Sequence, residues 1–158
     1  MIQYIQPFIK VCKHVFKEFL GQELEVKIPY FMEKNKITEW DISAVIGLTG
    51  EARGAVVISM KDDLAIKLTA ILTGRPHKVT YDEVIDAVGE IVNIISGNVK
   101  LELEESFQLV ISLPTIIRGK EHTIAWPDSQ TRAICIPFTI FEKENFSLSV
   151  ALEASKGK

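Results

Sequence analysis

The residue pair with the clearest chemical potential is Glu90 and Asn93, three positions apart in the segment EIVNIISGNV. On a helix, side chains at this spacing are neighbours whose Cβ atoms lie about 5–6 Å apart. The glutamate supplies a carboxylate, and the asparagine amide both donates and accepts hydrogen bonds. Neither side chain is a good nucleophile. The pair is therefore suited to pairing with a charged group and to orienting a water molecule or an oxyanion.

The pair falls on an amphipathic helix that the apolar periodicity predicts over residues 81–105. At about 100° per residue, one side of this helix is polar and the other is broadly apolar. The polar stripe lies within about 80° of Glu90 and consists of Glu83, Asp86, Glu90, Asn93, Gly97, Lys100 and Glu104. Thr80, followed by Glu83, predicts a capping box at the helix start. A face that is merely solvated is the simplest explanation of such a stripe.

The residue types in this helix favour a functional surface instead. Its interior holds Gly89, Asn93, Gly97 and Asn98, all weaker helix formers than alanine. Together they sacrifice on the order of 3 kcal/mol of helix propensity, and such locally unfavourable choices tend to mark sites. Gly97 lies one turn beyond Asn93, where the missing side chain would let a backbone or a phosphoryl group approach closely.

The remaining elements must hold this helix in place. Helices are predicted over 3–20 and 63–73, with Asp62 as the cap of the second. Strands are predicted over 24–28, 108–113, 131–142 and 145–153, a hairpin over 38–60, and a polar loop over 115–128. This order predicts the α+β class, an antiparallel sheet with helices packed on it, in one domain over 1–158. The apolar C-terminal strands need edge cover, which a second subunit could supply.

Composition narrows the function classes. The chain has 158 residues and a net charge of −3, whereas binding to a phosphate backbone usually shows as a basic excess. No apolar run approaches the roughly 18 residues of a membrane span, and the N-terminus lacks the features of a signal peptide. Cys12 and Cys135 are far apart in sequence and are expected to be buried, reduced thiols. We therefore expect a cytoplasmic protein.

Other candidate sites are weak. His14, His77 and His122 fall on three different elements, without the ligand spacing of a zinc site. Ser96 and Ser129 have no local context of a nucleophile. The glycines of the segment GLTGEARG lack a following Lys-Ser/Thr and are expected to form hairpin turns. Trp40 and Trp126 are expected to anchor the core or an interface. A small-ligand-binding domain is the weakest hypothesis, because no polar cluster converges inside the predicted core.

The motif Asp86-x3-Glu90-x2-Asn93, continuing into Ser96-Gly97-Asn98, resembles the signature helix of the CheC/CheX/FliY phosphatases of bacterial chemotaxis. The resemblance covers nearly the whole chain, and size and layout resemble the CheX-like members most. It implies a homodimeric enzyme that hydrolyses the aspartyl phosphate of the response regulator CheY. By this resemblance, Asn93 orients the attacking water, Glu90 pairs with the partner's active-site lysine, and Asp86 is a supporting contact.

Gly97 and Lys100, on the same polar stripe, are also expected to belong to the partner-binding face. The resemblance implies that Mg²⁺ is held by the response regulator, with no cofactor in this chain. Two departures matter. The family pattern places a proline after 22 intervening residues, whereas 20 residues separate Asn93 from Pro114. The first helix, FIKVCKHVFKEFLG, carries no ExxN motif, so we expect one active face per chain. A non-catalytic docking module for a response regulator or the flagellar switch is the alternative.

Overall fold

The computed structural model describes residues 4–33, 39–75, 78–120, 122–124, 126 and 132–155. Its helices are α1 (Ile5–Leu20), α2 (Asp62–Thr73) and α3 (Tyr81–Glu102). Its strands are β1 (Glu25–Val26), β2 (Tyr30–Phe31), β3 (Ile42–Gly50), β4 (Ala52–Met60), β5 (Leu109–Ile111), β6 (Thr115–Arg118), β7 (Ile134–Ile140) and β8 (Glu144–Ala154). This is the predicted α+β arrangement of an antiparallel sheet with helices.

The strands form one antiparallel sheet in the order β1-β7-β8-β4-β3-β5, with β2 also on β7 and β6 also on β3. Since side chains alternate along a strand, each strand sends every second residue to the helices. On β3 these are Ile42, Ala44, Ile46 and Leu48, which are all buried in the core. The three helices pack on this one face, and the core lies between them and the sheet.

Aromatic side chains link α1 to the sheet. Phe16 of α1 stacks on Phe146 of β8 with ring centroids 4.9 Å apart, and Phe138 of β7 stacks on the same ring at 5.2 Å. Cys12 on α1 is also buried, and burial raises the pKa of its thiol. The expectation that both cysteines are buried, free thiols is confirmed.

The ends of the helices follow local sequence signals in most cases. The hydroxyl of Thr80 accepts a hydrogen bond from the backbone N–H of Glu83, whose carboxylate accepts one from the N–H of Thr80. The predicted capping box of α3 is thereby confirmed. Gly21 and Gly74 adopt left-handed conformations with φ of 65° and 68° at the ends of α1 and α2, as glycine readily does.

Several predictions about local structure need correction. The strand predicted over 24–28 is present only as the short β1, and a second short strand, β2, which was not predicted, also pairs with β7. The predicted loop over 115–128 begins with β6, which pairs with β3. Asp62 is the first residue of α2 rather than its cap, and its N–H donates to the carboxylate of Asp41 at 2.9 Å. Edge cover for β7 comes from β1 and β2 of the same chain.

Among the helices in the described ranges, none combines the length and the apolar character that crossing a membrane requires.

Candidate functional site

The long helix α3 is held by contacts on three sides, so its polar stripe points away from the protein. It packs against α1, α2 and the strands β3 to β6. Its apolar face is buried, with Val88, Val92 and Ile95 fully inaccessible. Asp86, Glu90 and Lys100 are exposed on the opposite side, while Asn93 and Gly97 are half-buried. The five predicted site residues therefore share one accessible face of a rigid helix.

The two central side chains of this face are not used by the fold. Neither Glu90 nor Asn93 has a hydrogen-bond or ion-pair partner among the described residues. By contrast, the Asn98 amide donates to the carbonyl of Ile94 at 2.8 Å, and Glu83 binds the cap and Arg75. The hydrogen-bonding capacity of Glu90 and Asn93 remains available to a molecule that approaches α3 from outside.

Gly97 opens the surface next to Asn93. A Cβ atom built at this position would have no heavy atom within 4 Å beyond its own helical surroundings. The two side chains that follow on the same face are Lys100 and Leu101, and Leu101 is 62% exposed. Leu101 lies at about 20° from Glu90 around the helix axis, so the polar stripe has an apolar neighbour that was not predicted. The angular position of Leu101 among the polar residues of the stripe was the available signal in the sequence.

Gly89 has the opposite environment, because it is buried beneath another segment of the chain. A Cβ built there would lie 3.5 Å from Pro114 and 3.4 Å from Ile116 of β6. Pro114 thus packs on α3 next to Glu90. Leu113, immediately before it, is 86% exposed. The Leu113–Pro114 segment and Leu101 add apolar surface near the stripe.

Among the described residues, the other histidine and serine candidates do not join this face. His122 accepts or donates a hydrogen bond to Ser43 on the sheet face that points away from the helices, and His77 and Ser129 lie outside the described residues. The described ranges contain no group of three or more His, Cys, Asp or Glu side chains arranged to hold a metal ion.

The sheet face that points away from the helices carries a cluster of buried serines, which contradicts the expectation about buried polar groups. Ser43, Ser59, Ser147 and Ser149 are buried there and line a cavity of about 350 Å³ together with Trp40 and Trp126. A polar cluster does converge in the interior, although none was expected. The two tryptophans border this cavity rather than the helical core.

The polar stripe lies within a segment that matches a known family. The family model described as chemotaxis phosphatase CheX matches residues 42–139, which include all of α3. The chain belongs to the CheX family. A curated relative, the CheY-P phosphatase CheX of Thermotoga maritima, is 28% identical over 140 residues, covering 87% of this chain and 88% of the relative.

Solved structures of CheX proteins share the fold. The chemotaxis protein CheX of Desulfovibrio desulfuricans superposes with a TM-score of 0.86 at 28% identity, over 96% of this chain and 99% of that one. CheX in the CheX–CheY–BeF₃–Mg²⁺ complex of Borrelia burgdorferi superposes with a TM-score of 0.78 at 24% identity, over 95% of this chain and 97% of that one. At that identity the second likeness speaks for the fold alone.

Proposed function

We propose that this chain hydrolyses the aspartyl phosphate of a phosphorylated CheY-type response regulator. The observation that carries the proposal is the unpartnered Glu90–Asn93 pair, exposed on the outer face of α3 within the CheX-matched segment. The relative from Thermotoga maritima is named a CheY-P phosphatase, and this name supports the choice of substrate.

Asn93 is proposed to position the attacking water. Water attacks the phosphorus, the bond from phosphorus to the aspartyl oxygen breaks, and inorganic phosphate and the free carboxylate result. Such a transfer needs little covalent help from a second protein, so holding the water in line with the breaking bond is the main contribution. An amide is suited to this role because it can accept from the water and donate to a phosphoryl oxygen at once.

Glu90 is proposed to pair with the active-site lysine of the response regulator, as the family resemblance implies. A charge-assisted hydrogen bond of this kind is roughly twice as strong as a neutral one, and it fixes the orientation of the two proteins. Asp86, one turn earlier on the same face and exposed, adds a weaker contact. Gly97 leaves room for the regulator's backbone, and Lys100 borders the same surface.

The proposed reaction needs Mg²⁺, which we assign to the response regulator rather than to this chain. The ion would neutralise charge on the phosphoryl oxygens. The contribution of this chain is then limited to water, orientation and the lysine contact. We further propose that residues 1–158 act as a single domain, in the cytoplasm and as a homodimer with one active face per chain.

A docking module of the same fold, which binds a response regulator or a switch component without hydrolysis, is the second candidate. A pure docking surface does not need an amide and a carboxylate held free at this spacing, and it would function with other polar residues there. The exposed apolar side chains Leu101 and Leu113 fit either function, because both require a partner to dock.

The two candidates differ in one experiment. The purified chain is mixed with phosphorylated CheY from the same organism in Mg²⁺, and loss of the acyl phosphate is followed together with binding. The phosphatase proposal predicts decay that accelerates in proportion to the amount of chain added at substoichiometric levels. Decay at the regulator's own rate despite measurable binding would establish the docking module. Sedimentation tests the homodimer separately, and a 17.7 kDa species alone at micromolar concentration would contradict it.

A further inference from the structure

The sheet face that points away from the three helices holds a polar cavity with no part in the proposed reaction. The strand register builds its floor. Ser43 of β3 is paired with Ser59 of β4, which is paired with Ser147 of β8. In the next row, Val57 is paired with Ser149, and Ser149 with Cys135 of β7. Two neighbouring rows of small side chains thus form the floor of a cavity of about 350 Å³.

A chain of hydrogen bonds organises one end of this floor. The carbonyl of Gly119 can only accept, so Nδ1 of His122, 2.8 Å away, must carry the proton and donate it. In the neutral ring, Nε2 then accepts from the Ser43 hydroxyl at 2.6 Å, and Ser59 donates to Ser43 at 2.6 Å. The oxygens of this chain are oriented by the fold before any ligand arrives, which lowers the cost of binding one.

Three further polar groups are left for a ligand. The hydroxyls of Ser147 and Ser149, both nearly inaccessible, make no hydrogen bond to any described residue. The indole N–H of Trp126 is buried and has no hydrogen-bond partner among the described residues. A buried donor without a partner carries a desolvation cost, which an acceptor atom on a bound molecule would relieve.

The side chains in the walls and rim of the cavity indicate which ligand charge it favours. Tyr30, Trp40 and Trp126 supply aromatic surface, and Glu33 and Glu39 supply carboxylates. The described lining contains neither lysine nor arginine. Glu39 pairs with Lys61 at 3.8 Å, which offsets part of its charge, while Glu33 has no such partner in the described ranges. A hydrogen bond to Cys135, burial, and the nearby carboxylate of Glu39 raise the pKa of Tyr30 to about 12.

Each of these groups favours the same kind of molecule. Aromatic faces attract cations through their quadrupoles, carboxylates add Coulombic attraction, and serine oxygens accept from a cationic N–H or CH group. The cavity volume is near the lower end of the range for ligand sites. We propose that this cavity binds a small organic ammonium ion that also carries a hydroxyl or carbonyl oxygen, with that oxygen accepting from the indole N–H of Trp126.

The chain offers a specific reporter for this proposal. It contains only two tryptophans, and both line the cavity, so the two indole signals in a ¹H–¹⁵N spectrum observe this site directly. The Trp40→Phe variant assigns them. The probe is choline, compared with its uncharged analogue 3,3-dimethyl-1-butanol and with ethyltrimethylammonium, which lacks the hydroxyl. We expect saturable shifts with choline at a Kd of about 1 mM or tighter.

The two analogues test the contributions of the ligand's charge and hydroxyl, and the variants test the contributions of individual cavity residues. The uncharged analogue should bind at least about tenfold more weakly, and ethyltrimethylammonium should bind while moving the Trp126 signal less. Ser149→Leu, which fills the floor, should abolish the shifts, and Glu33→Gln should weaken binding several-fold. Glu18→Gln, on the exposed side of α1, is the matched control and should change nothing.

Two results would overturn the proposal. One is the lack of any saturable shift up to about 10 mM choline in a chain whose spectrum remains dispersed. The other is equal affinity for choline and its uncharged analogue, which would show a cavity that recognises shape without charge. Because the readout involves no response regulator, failure here leaves the proposed phosphatase function untouched.

Discussion

Helix α3 allows a direct comparison within two residue types, between two of its three glutamates and between its two asparagines. Glu83 and Asn98 are used by the fold, since Glu83 completes the capping box and binds Arg75, and Asn98 donates to the Ile94 carbonyl. Glu90 and Asn93 lie between them and have no partner in the described chain. The same two residue types therefore serve stability near the helix ends and remain available in the middle. Partnership within the chain, rather than residue type, separates the structural from the functional polar groups.

The largest expected effect is a change of charge at Asn93. Asn93→Asp removes the N–H donors and places a carboxylate next to the phosphoryl group of the proposed complex. We expect the rate of dephosphorylation to fall by about 10²-fold or more, the loss seen when one group that stabilises or orients a transition state is removed. The rate is measured from the loss of acyl phosphate. Asn98→Asp is the matched variant, and an equal loss there would erase the distinction between the two asparagines.

Substitutions at Glu90 and Glu83 should have separate effects on partner affinity and on stability. Glu90→Gln keeps the shape but removes the charge that pairs with a lysine, so affinity for the phosphorylated regulator should fall about tenfold, or about 1.4 kcal/mol. Its melting temperature should not change. Glu83→Ala should show the reverse pattern, with lower stability and normal affinity. Calorimetry and binding titrations on both variants test this, and a destabilised Glu90→Gln would contradict it.

Substitutions at the two glycines of α3 compare a position packed against another segment with a position that faces open space. Gly89→Leu forces a side chain against Pro114 and Ile116 and should cost about 1–3 kcal/mol of unfolding free energy. Gly97→Leu meets open space and should leave the fold intact, while its bulk blocks the approach of the regulator. Urea unfolding combined with the dephosphorylation assay measures both. Normal turnover in Gly97→Leu would remove Gly97 from the docking face.

The smallest expected effect concerns the cap alone. Thr80→Ala removes a side-chain acceptor at the start of α3 and should cost about 1 kcal/mol, which lowers Tm by about 2–4 °C in a domain of this size. Turnover measured well below that Tm should match the unaltered chain. A loss of turnover without a change in Tm would mean that the first turn contributes to the site after all.

Local signals in the sequence predicted the features that depend on neighbouring residues. The period of the apolar residues indicated which face of α3 is buried, and Thr80 with Glu83 indicated its start, because both signals act within a few positions. The site residues followed from the same period. The buried strands Ile134–Ile140 and Glu144–Ala154 were also recognised from their apolar, β-branched residues.

The features that were missed depend on contacts distant in sequence. Asp41 binds the N-terminus of α2 across 21 positions, and Pro114 packs on Gly89 across 25. Thr115, Ile116 and Ile117 favour a strand locally, but the short strand Thr115–Arg118 forms against the edge of β3, which is distant in sequence. The serine cluster forms only when three strands, β3, β4 and β8, are in register. Such features require the fold itself, and no pattern within a single segment contains them.

The most direct test of the proposed role of Asn93 compares Asn93→Ala with Asn98→Ala. The concentration of each variant is raised until the dephosphorylation rate of phosphorylated CheY saturates. The maximal rate of dephosphorylation and the concentration of chain that gives half of it are measured separately. We expect Asn93→Ala to abolish the acceleration while half-saturation changes little, and Asn98→Ala to retain turnover. A maximal rate in Asn93→Ala equal to that of the unaltered chain would contradict the assignment of the water-orienting amide.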